Sequence, residues 1–307
     1  MGLRIRTNVS SLNAQRRLES STEALGNSAA KLASGDRINR AADDAAGLAI
    51  SDNLRADVRS LAQARRNAND GISLVQTAEG GLMETTNMLA RLRELAVQSA
   101  SDTIGVSERE FLDREFRALK MEIDRIALST DFNGTRLLVG QNEINDDLKG
   151  GNSFPLEIQV SKDYYKVSDS LGDPNPVNII RIDLQRLNAT TYGEGGLGLG
   201  KQEDGARINT KESAQTSIST LDDAILQIND YRSYLGAIQN RLTTTVSNLG
   251  SQVENLETAR SRIRDTDFAS ESALYTQNKI LQQAGTSVLS QANQQPSIVL
   301  GLLQNMG

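Results

Sequence analysis

Three short stretches of this 307-residue chain carry residue types at spacings that could do chemistry. Gly193, Gly195 and Gly198 match G-x-G-x-x-G, and Gly195, Gly200 and Lys201 come close to the loop that cradles phosphates with its backbone N–H groups. A phosphate loop needs Ser or Thr after its lysine to ligate magnesium, and here Gln202 follows. Both motifs also need a helix to begin at once, and Glu203-Asp204-Gly205 has no helix-start pattern. The stretch therefore reads as a glycine-rich surface loop. Asp43 and Asp44 form a carboxylate pair, but neighbours on a helix point ~100° apart and do not face one another. Asp131 and Asn133 before Gly134 resemble the start of a calcium loop whose remaining ligands are missing. The chain has no His and no Cys, which removes imidazole bases, thiolate nucleophiles and the usual zinc ligands. No catalytic constellation is left, so neither an enzyme nor a cofactor or metal site is expected.

The formal net charge is −6. An acidic chain without basic clusters points away from nucleic acid and from anionic membrane surfaces. No window holds the ~18 consecutive apolar residues of a membrane helix, so membrane insertion is not expected. Residues 1–12 lack the ~7–15 residue apolar run of a secretory signal, which implies that any export uses no cleavable signal peptide. Aromatic residues make up 4% of the chain and Trp is absent, against 38% hydrophobic residues. A core of that composition is aliphatic and suits helix-on-helix packing.

Punctuation shows where those helices can run. The four prolines are Pro155, Pro174, Pro176 and Pro296, and eleven of the 24 glycines lie between 134 and 205. Proline costs about 3 kcal/mol and glycine about 1 kcal/mol inside a helix. Two flanks are thus free to be helical and the middle is not. In the first flank Leu54, Leu61, Ala68, Val75, Leu82, Leu89 and Ala96 recur every seven residues. Ser107 and Glu110 have the pattern of a capping box. Leu112, Phe116, Leu119, Ile123 and Ile126 then predict a second helix, folded back. In the other flank Leu221, Ile228, Leu235, Leu242, Leu249, Leu256 and Ile263 are again seven apart. Two long helices with matching stripes predict an elongated, mainly α rod. In the middle, Asn133-Gly134 signals a hairpin turn. Alternation in 156–160 and 180–184 predicts two strands joined across 161–179. Residues 190–210 read as loop, and 161–177 and 190–205 are expected to tolerate insertions.

The ends differ from the rest. Leu18, Leu25 and Leu32, and Leu274, Leu281 and Val288, continue a seven-residue period, yet Ile280–Gly307 contains no charged residue. An apolar stripe without a charged face suits a buried terminal helix of an ordinary domain or, better, a helix buried only on assembly with other copies of the chain.

Thr7–Gln15, Ser34–Asn39 with Ala41–Ile50, Arg66–Ser73, Arg93–Ala100, Leu235–Leu242, Ala259–Ile263 and Gln282–Leu289 resemble stretches of bacterial flagellin. The resemblance covers about 1–140 and 215–304. It implies a structural subunit that self-polymerises into the extracellular flagellar filament for swimming. It implies terminal helices paired as a coiled coil, with 1–43 and 264–307 forming the inner tube through Leu18, Leu25, Leu32, Leu274, Leu281 and Val288. Residues 44–263 would form an outer rod with a β and loop region at 132–205. The implied rod core is Leu54, Leu61, Val75, Leu82, Leu89, Leu221, Ile228, Leu235, Leu242, Leu249, Leu256 and Ile263. Implied partners are further copies of the chain, an export chaperone on the C-terminal segment, and the filament cap and hook-junction proteins. The implied route is flagellar type III export without signal cleavage. Only about 70 residues separate the two similar regions, so a minimal form without large outer domains is expected. Flagellins of some bacteria are detected by host Toll-like receptor 5 through residues matching Arg91, Leu95 and Glu115, which implies a contact between neighbouring subunits that such a receptor can also use. Helical spacing places Leu95 at the edge of the apolar stripe and Arg91 further out. A hook–filament junction protein, built on similar terminal helices, is the alternative.

Overall fold

A computed structural model describes residues 8–140, 155–163, 178–185, 187–193, 195–201 and 205–304, the side chains of 295–304 excepted. The chain is mainly α. Helices α1 (Val9–Ser34), α2 (Ala45–Ser99), α3 (Val106–Ser129), α4 (Lys211–Arg264) and α5 (Phe268–Gln304) are joined by two small antiparallel strand pairs. These are β1 (Asp131–Phe132) with β2 (Thr135–Arg136), and β3 (Leu156–Gln159) with β4 (Ile179–Ile182). The chain divides into two compact units, Arg59–Val253 and Met1–Val58 with Glu254–Gly307.

In the 59–253 unit α2 and α4 run antiparallel. Arg93 pairs with Asp222 at 2.6 Å, while Glu79 faces Arg232, ten residues further along α4. Leu61, Val75, Leu82, Leu89, Leu221, Ile228, Leu235, Leu242 and Leu249 are all buried. α3 folds back on α2, where Arg109 Nε donates to Ser99 O at 2.9 Å. Its start differs from the capping-box expectation. The helix begins at Val106 behind Gly105, without a side-chain cap, and Ser107 lies inside it.

Strand β3 and the segment after β2 dock on α2 at glycines. A Cβ on Gly71 would lie 2.3 Å from Ile158 Cδ1, and one on Gly81 would lie 2.7 Å from Leu138 Cδ1. Each glycine costs about 1 kcal/mol of helix propensity and opens a socket for an aliphatic knob. The β1–β2 turn has the type I′ signature, with positive φ at Asn133 (52°) and Gly134 (79°). The β3–β4 register pairs Leu156 with Ile182 and Ile158 with Ile180. The residues joining these strands fall largely outside the described ones.

The expectation of a free surface loop at 190–205 is corrected. Gly193, Gly195, Gly198 and Gly200 adopt positive φ, and none of them leads into a helix. These turns fold Leu197 and Leu199 into the core, while Thr190 and Thr191 are buried beside them. Backbone groups carried inside need partners, because an unpaired one costs about 1–3 kcal/mol. α3 supplies them. Lys120 Nζ donates to Leu199 O (2.8 Å), Ala206 O (3.3 Å) and Lys201 O (3.4 Å). Asp124 accepts from Thr191 N (2.7 Å) and Thr191 Oγ1 (2.8 Å). Asp113 accepts from Ile208 N (3.1 Å), Arg117 (3.1 Å) and Arg207 (3.2 Å). Asp113, Phe116, Lys120, Ile123 and Ala127 are the buried residues of α3. The stripe is therefore half apolar packing and half tether.

Burial pushes the Lys120 ammonium below its ordinary 10.5, opposed by the charges of Asp124 and Asp113. The native state then sheds this proton at a lower pH than the unfolded chain, so native stability gains as pH rises between the two values. Lys120→Met leaves loop carbonyls unpaired and is expected to cost about 2–3 kcal/mol near neutral pH. The wild type should gain further on the variant as pH rises toward 10.5, which urea unfolding at about pH 8 and pH 10 measures. A Gly-Ser insertion after Gly198 displaces Leu199. It should lower stability by about 2–4 kcal/mol, as large-to-small core substitutions do, and an unchanged urea midpoint would contradict the buried-loop account.

Candidate functional site

The candidate surfaces are those that the described residues leave uncovered. In the unit that holds the chain ends, α1 and α5 pack antiparallel. Asn8 caps α1 by accepting from Ser11 N at 3.1 Å, and its amide donates to Ala292 O on α5 at 2.7 Å. Ser11 Oγ donates to Asn293 Oδ1 at 2.7 Å, Ser21 Oγ to Asn278 O at 3.2 Å, and Gln282 Nε2 to Thr22 Oγ1 at 3.3 Å. Leu18, Leu25 and Leu32 lie half-buried along α1, interleaved with the small residues Ala14, Ser21 and Ser28. A Cβ on Gly285 would sit 3.3 Å from Leu18 Cδ1, so α5 approaches closely where it has no side chain.

On α5 the residues turned toward cover are Tyr275, Asn278, Gln282, Gly285, Leu289 and Ala292. Leu274, Leu281 and Val288 each precede one of these by one position and so point about 100° away around the axis. They are 47%, 50% and 59% exposed, and Phe268 (67%) and Ile280 (59%) are exposed as well. The pairing of α1 with α5 thus sets the leucines of α1 against a mixed face of α5 that includes small and polar residues, and leaves the heptad stripe of α5 uncovered.

The two crossings into and out of this helix pair are bonded to each other. Arg37 N donates to Arg264 O (2.6 Å) and Thr266 N to Gly35 O (2.9 Å), and an isolated bridge joins Asp36 and Asp265. Arg264 reaches Asp36 (3.1 Å) and Asp52 (3.5 Å). Leu54, Leu256 and Ile263 are half-buried in the same unit. Asp43 and Asp44 sit in the turn before α2 and not on a helix. Asp43 accepts from the N–H groups of Asn39 (3.1 Å) and Arg40 (3.0 Å), and Asp44 caps α2 at Gly47 N (2.9 Å). The bonds from Arg40 and Asn39 hold the Asp43 carboxyl below its ordinary value. Both carboxylates are spent on backbone donors.

In the 59–253 unit Arg91 and Glu115 do come together. Arg91 binds Glu115 at 2.9 Å and Glu94 at 2.9 Å, and all three side chains are exposed. Bonds from Glu94 and then Glu115 raise the Arg91 pKa above its ordinary value. Leu95 does not join them on the surface. It is 1% exposed and part of the core. The expectation that it forms a stripe margin fails because α3 and the tethered loop widen the covered face of α2. Leu92, Leu95, Ala96 and Ser99 are all buried on that helix.

Sequence reasoning also missed Asp113, Lys120 and Asp124 as tethers. The available signal was charged residues standing on the 3-4 spacing of Phe116, Ile123 and Ala127, where an ordinary apolar stripe excludes them.

Comparison with known proteins places this arrangement. Residues 5–143 match the bacterial flagellin N-terminal helical region, and 218–303 match the bacterial flagellin C-terminal helical region. The chain is 40% identical over 300 residues to flagellin of Halalkalibacterium halodurans, covering 98% of this chain and 99% of that one. It is 40% identical over 300 residues to the flagellar filament 33 kDa core protein of Treponema phagedenis, again covering 98% and 99%. A solved putative flagellar hook-associated protein from Vibrio parahaemolyticus shares the fold, with TM-score 0.56 at 15% identity over 73% of this chain and 100% of its own. End-to-end similarity to chains of this size, together with terminal helices that leave an apolar stripe uncovered, makes this chain a member of the bacterial flagellin family, a structural subunit of the flagellar filament.

Proposed function

We propose that the chain polymerises through its terminal helices, with the uncovered face of α5 as the inter-subunit contact and with 1–43 and 264–307 as the inner-tube domain. The observation that carries this reading is the exposure of Leu274, Leu281 and Val288 at seven-residue spacing. Singly exposed apolar residues are ordinary, but a contiguous stripe on a helix without charges from Ile280 onward is not. Burying one such side chain is worth about 1.5–3 kcal/mol, and a helical polymer repeats that gain at every subunit. Before export the same stripe needs cover, which is the task assigned here to a chaperone on the C-terminal segment. Export follows the type III route, and cap and hook-junction proteins bound the growing filament.

For a host receptor of the Toll-like class, the surface offered is the exposed Arg91–Glu115 pair. Leu95 contributes by holding α2 and α3 together and not by contact.

Two tests follow from this reading. Glutamate at 274, 281 and 288 lies on a surface exposed in the single chain, so the triple variant should unfold within about 0.5 kcal/mol of the wild type per site. It should fail to form filaments under conditions where the wild type does, as electron microscopy and sedimentation report. Filaments from the triple variant would falsify the proposed contact. In a receptor-reporter assay on monomer, Arg91→Ala should lower the signal with stability unchanged. Leu95→Ala should lower stability by about 2–4 kcal/mol. A Leu95→Ala monomer as stable as the wild type would count against the core role.

A further inference from the structure

The β1–β2 turn brings together three groups whose chemistry goes beyond holding a hairpin. Asn133 is followed by Gly134, and this is the one Asn-Gly pair in the chain. Type I′ geometry demands positive φ at both positions, which is why this pair stands here. The residue type that the turn needs is also the one whose side-chain amide is most open to attack by the next backbone nitrogen, because glycine has no Cβ to shield that nitrogen. The shielding is absent here in a literal sense. Asn133 is exposed, and beyond the two flanking residues no atom lies within 4 Å of where a Cβ on Gly134 would sit. The third group is Asp131, whose Oδ2 accepts the Gly134 N–H at 3.3 Å.

We propose that Asn133 is a site of spontaneous conversion to aspartate and isoaspartate, with the Asp131 carboxylate as the base beside the attacking nitrogen and water as co-reactant. The Gly134 nitrogen forms a bond to Asn133 Cγ, the Cγ–Nδ2 bond breaks, and the proton from Gly134 N leaves with the amide as ammonia. The product is a five-membered imide. Water then opens it at one of its two carbonyls. Opening at Cγ gives aspartate with the backbone unchanged. Opening at the Asn133 carbonyl carbon gives isoaspartate, in which the chain runs through Cγ and is longer by one carbon. No oxidant or reductant enters at any step.

The attack requires the Asn133 backbone to leave its turn conformation. The ladder resisting this is as short as a ladder can be, with Asp131 opposite Arg136 and Phe132 opposite Thr135. Isoaspartate cannot restore that ladder, since a two-residue turn with an extra backbone carbon no longer brings Phe132 opposite Thr135. Either product adds one negative charge to a chain whose formal net charge is −6.

The test uses the full-length folded protein, held at mildly alkaline pH and sampled over time. Trypsin releases 126–136, in which Asn133 is the sole asparagine, and 18–31, in which Asn27 precedes Ser28 and serves as the internal reference. Replacement of –NH2 by –OH makes 126–136 heavier by about 1 Da. Conversion should run about tenfold or more faster than in 18–31, and part of the product should accept methyl groups from protein isoaspartate methyltransferase. Asp131→Asn should slow the conversion at Asn133, located by fragment masses within 126–136, severalfold with helix content retained. The site is refuted if 126–136 converts in urea but not in the folded protein, or no faster than 18–31. The role of Asp131 is refuted if Asp131→Asn converts at the wild-type rate.

Discussion

A loop drawn into a helical core must find a partner for every backbone group it carries in, and in the 59–253 unit α3 meets that demand. Without Lys120, Asp124 and Asp113, the backbone groups of Thr191, Leu199, Ala206 and Ile208 would lose these partners. With them Leu197 and Leu199 take core positions. The low aromatic content makes this necessary, because two helices faced with Leu, Ile, Val and Ala leave a broad, shallow interface that needs more cover. Gly71 and Gly81 answer the same need from the other side by letting Ile158 and Leu138 seat directly on the helix backbone.

Helices were legible in the sequence because their signal is repeated. A seven-residue period sustained from Leu54 to Ala96 and from Leu221 to Ile263 leaves little choice of secondary structure, and the family stretches at both ends then fix the fold. The turn at Asn133-Gly134 was legible for a different reason, since few pairs accept two positive φ angles in a row. What could not be read was the loop. Glycines at 193, 195, 198 and 200 look alike whether a segment faces water or a core, and the difference lies in Lys120, about 80 residues away in the chain. Leu95 was misplaced through the same gap. A stripe edge is exposed or buried according to what else covers the helix, and here Leu95 shares one buried cluster with residues of α3 and of the unread loop.

The terminal pair shows the opposite limit. The leucines of α1 and α5 were visible as a period, and a period alone suggests that both stripes meet. The structure gives the meeting face of α5 to Gly285, Gln282 and Asn278, one step around the helix, because small and polar residues let the two backbones approach and exchange hydrogen bonds. On α5 the conspicuous residues Leu274, Leu281 and Val288 are left over, while the leucines of α1 are half-buried. In a chain that acts by assembling, what the monomer leaves uncovered is as informative as what it packs.

The bridge between Gly35–Arg37 and Arg264–Thr266 has a mechanical consequence. Its two backbone hydrogen bonds and the Arg264 fork join the crossings on both sides of the helix pair, so tension entering through α1 divides with α5 before it reaches α2 or α4. Bonds placed side by side across antiparallel segments share a load applied along the chain and give way together, where bonds in a row would open one after another. Such a joint yields all at once and does not unzip bond by bond.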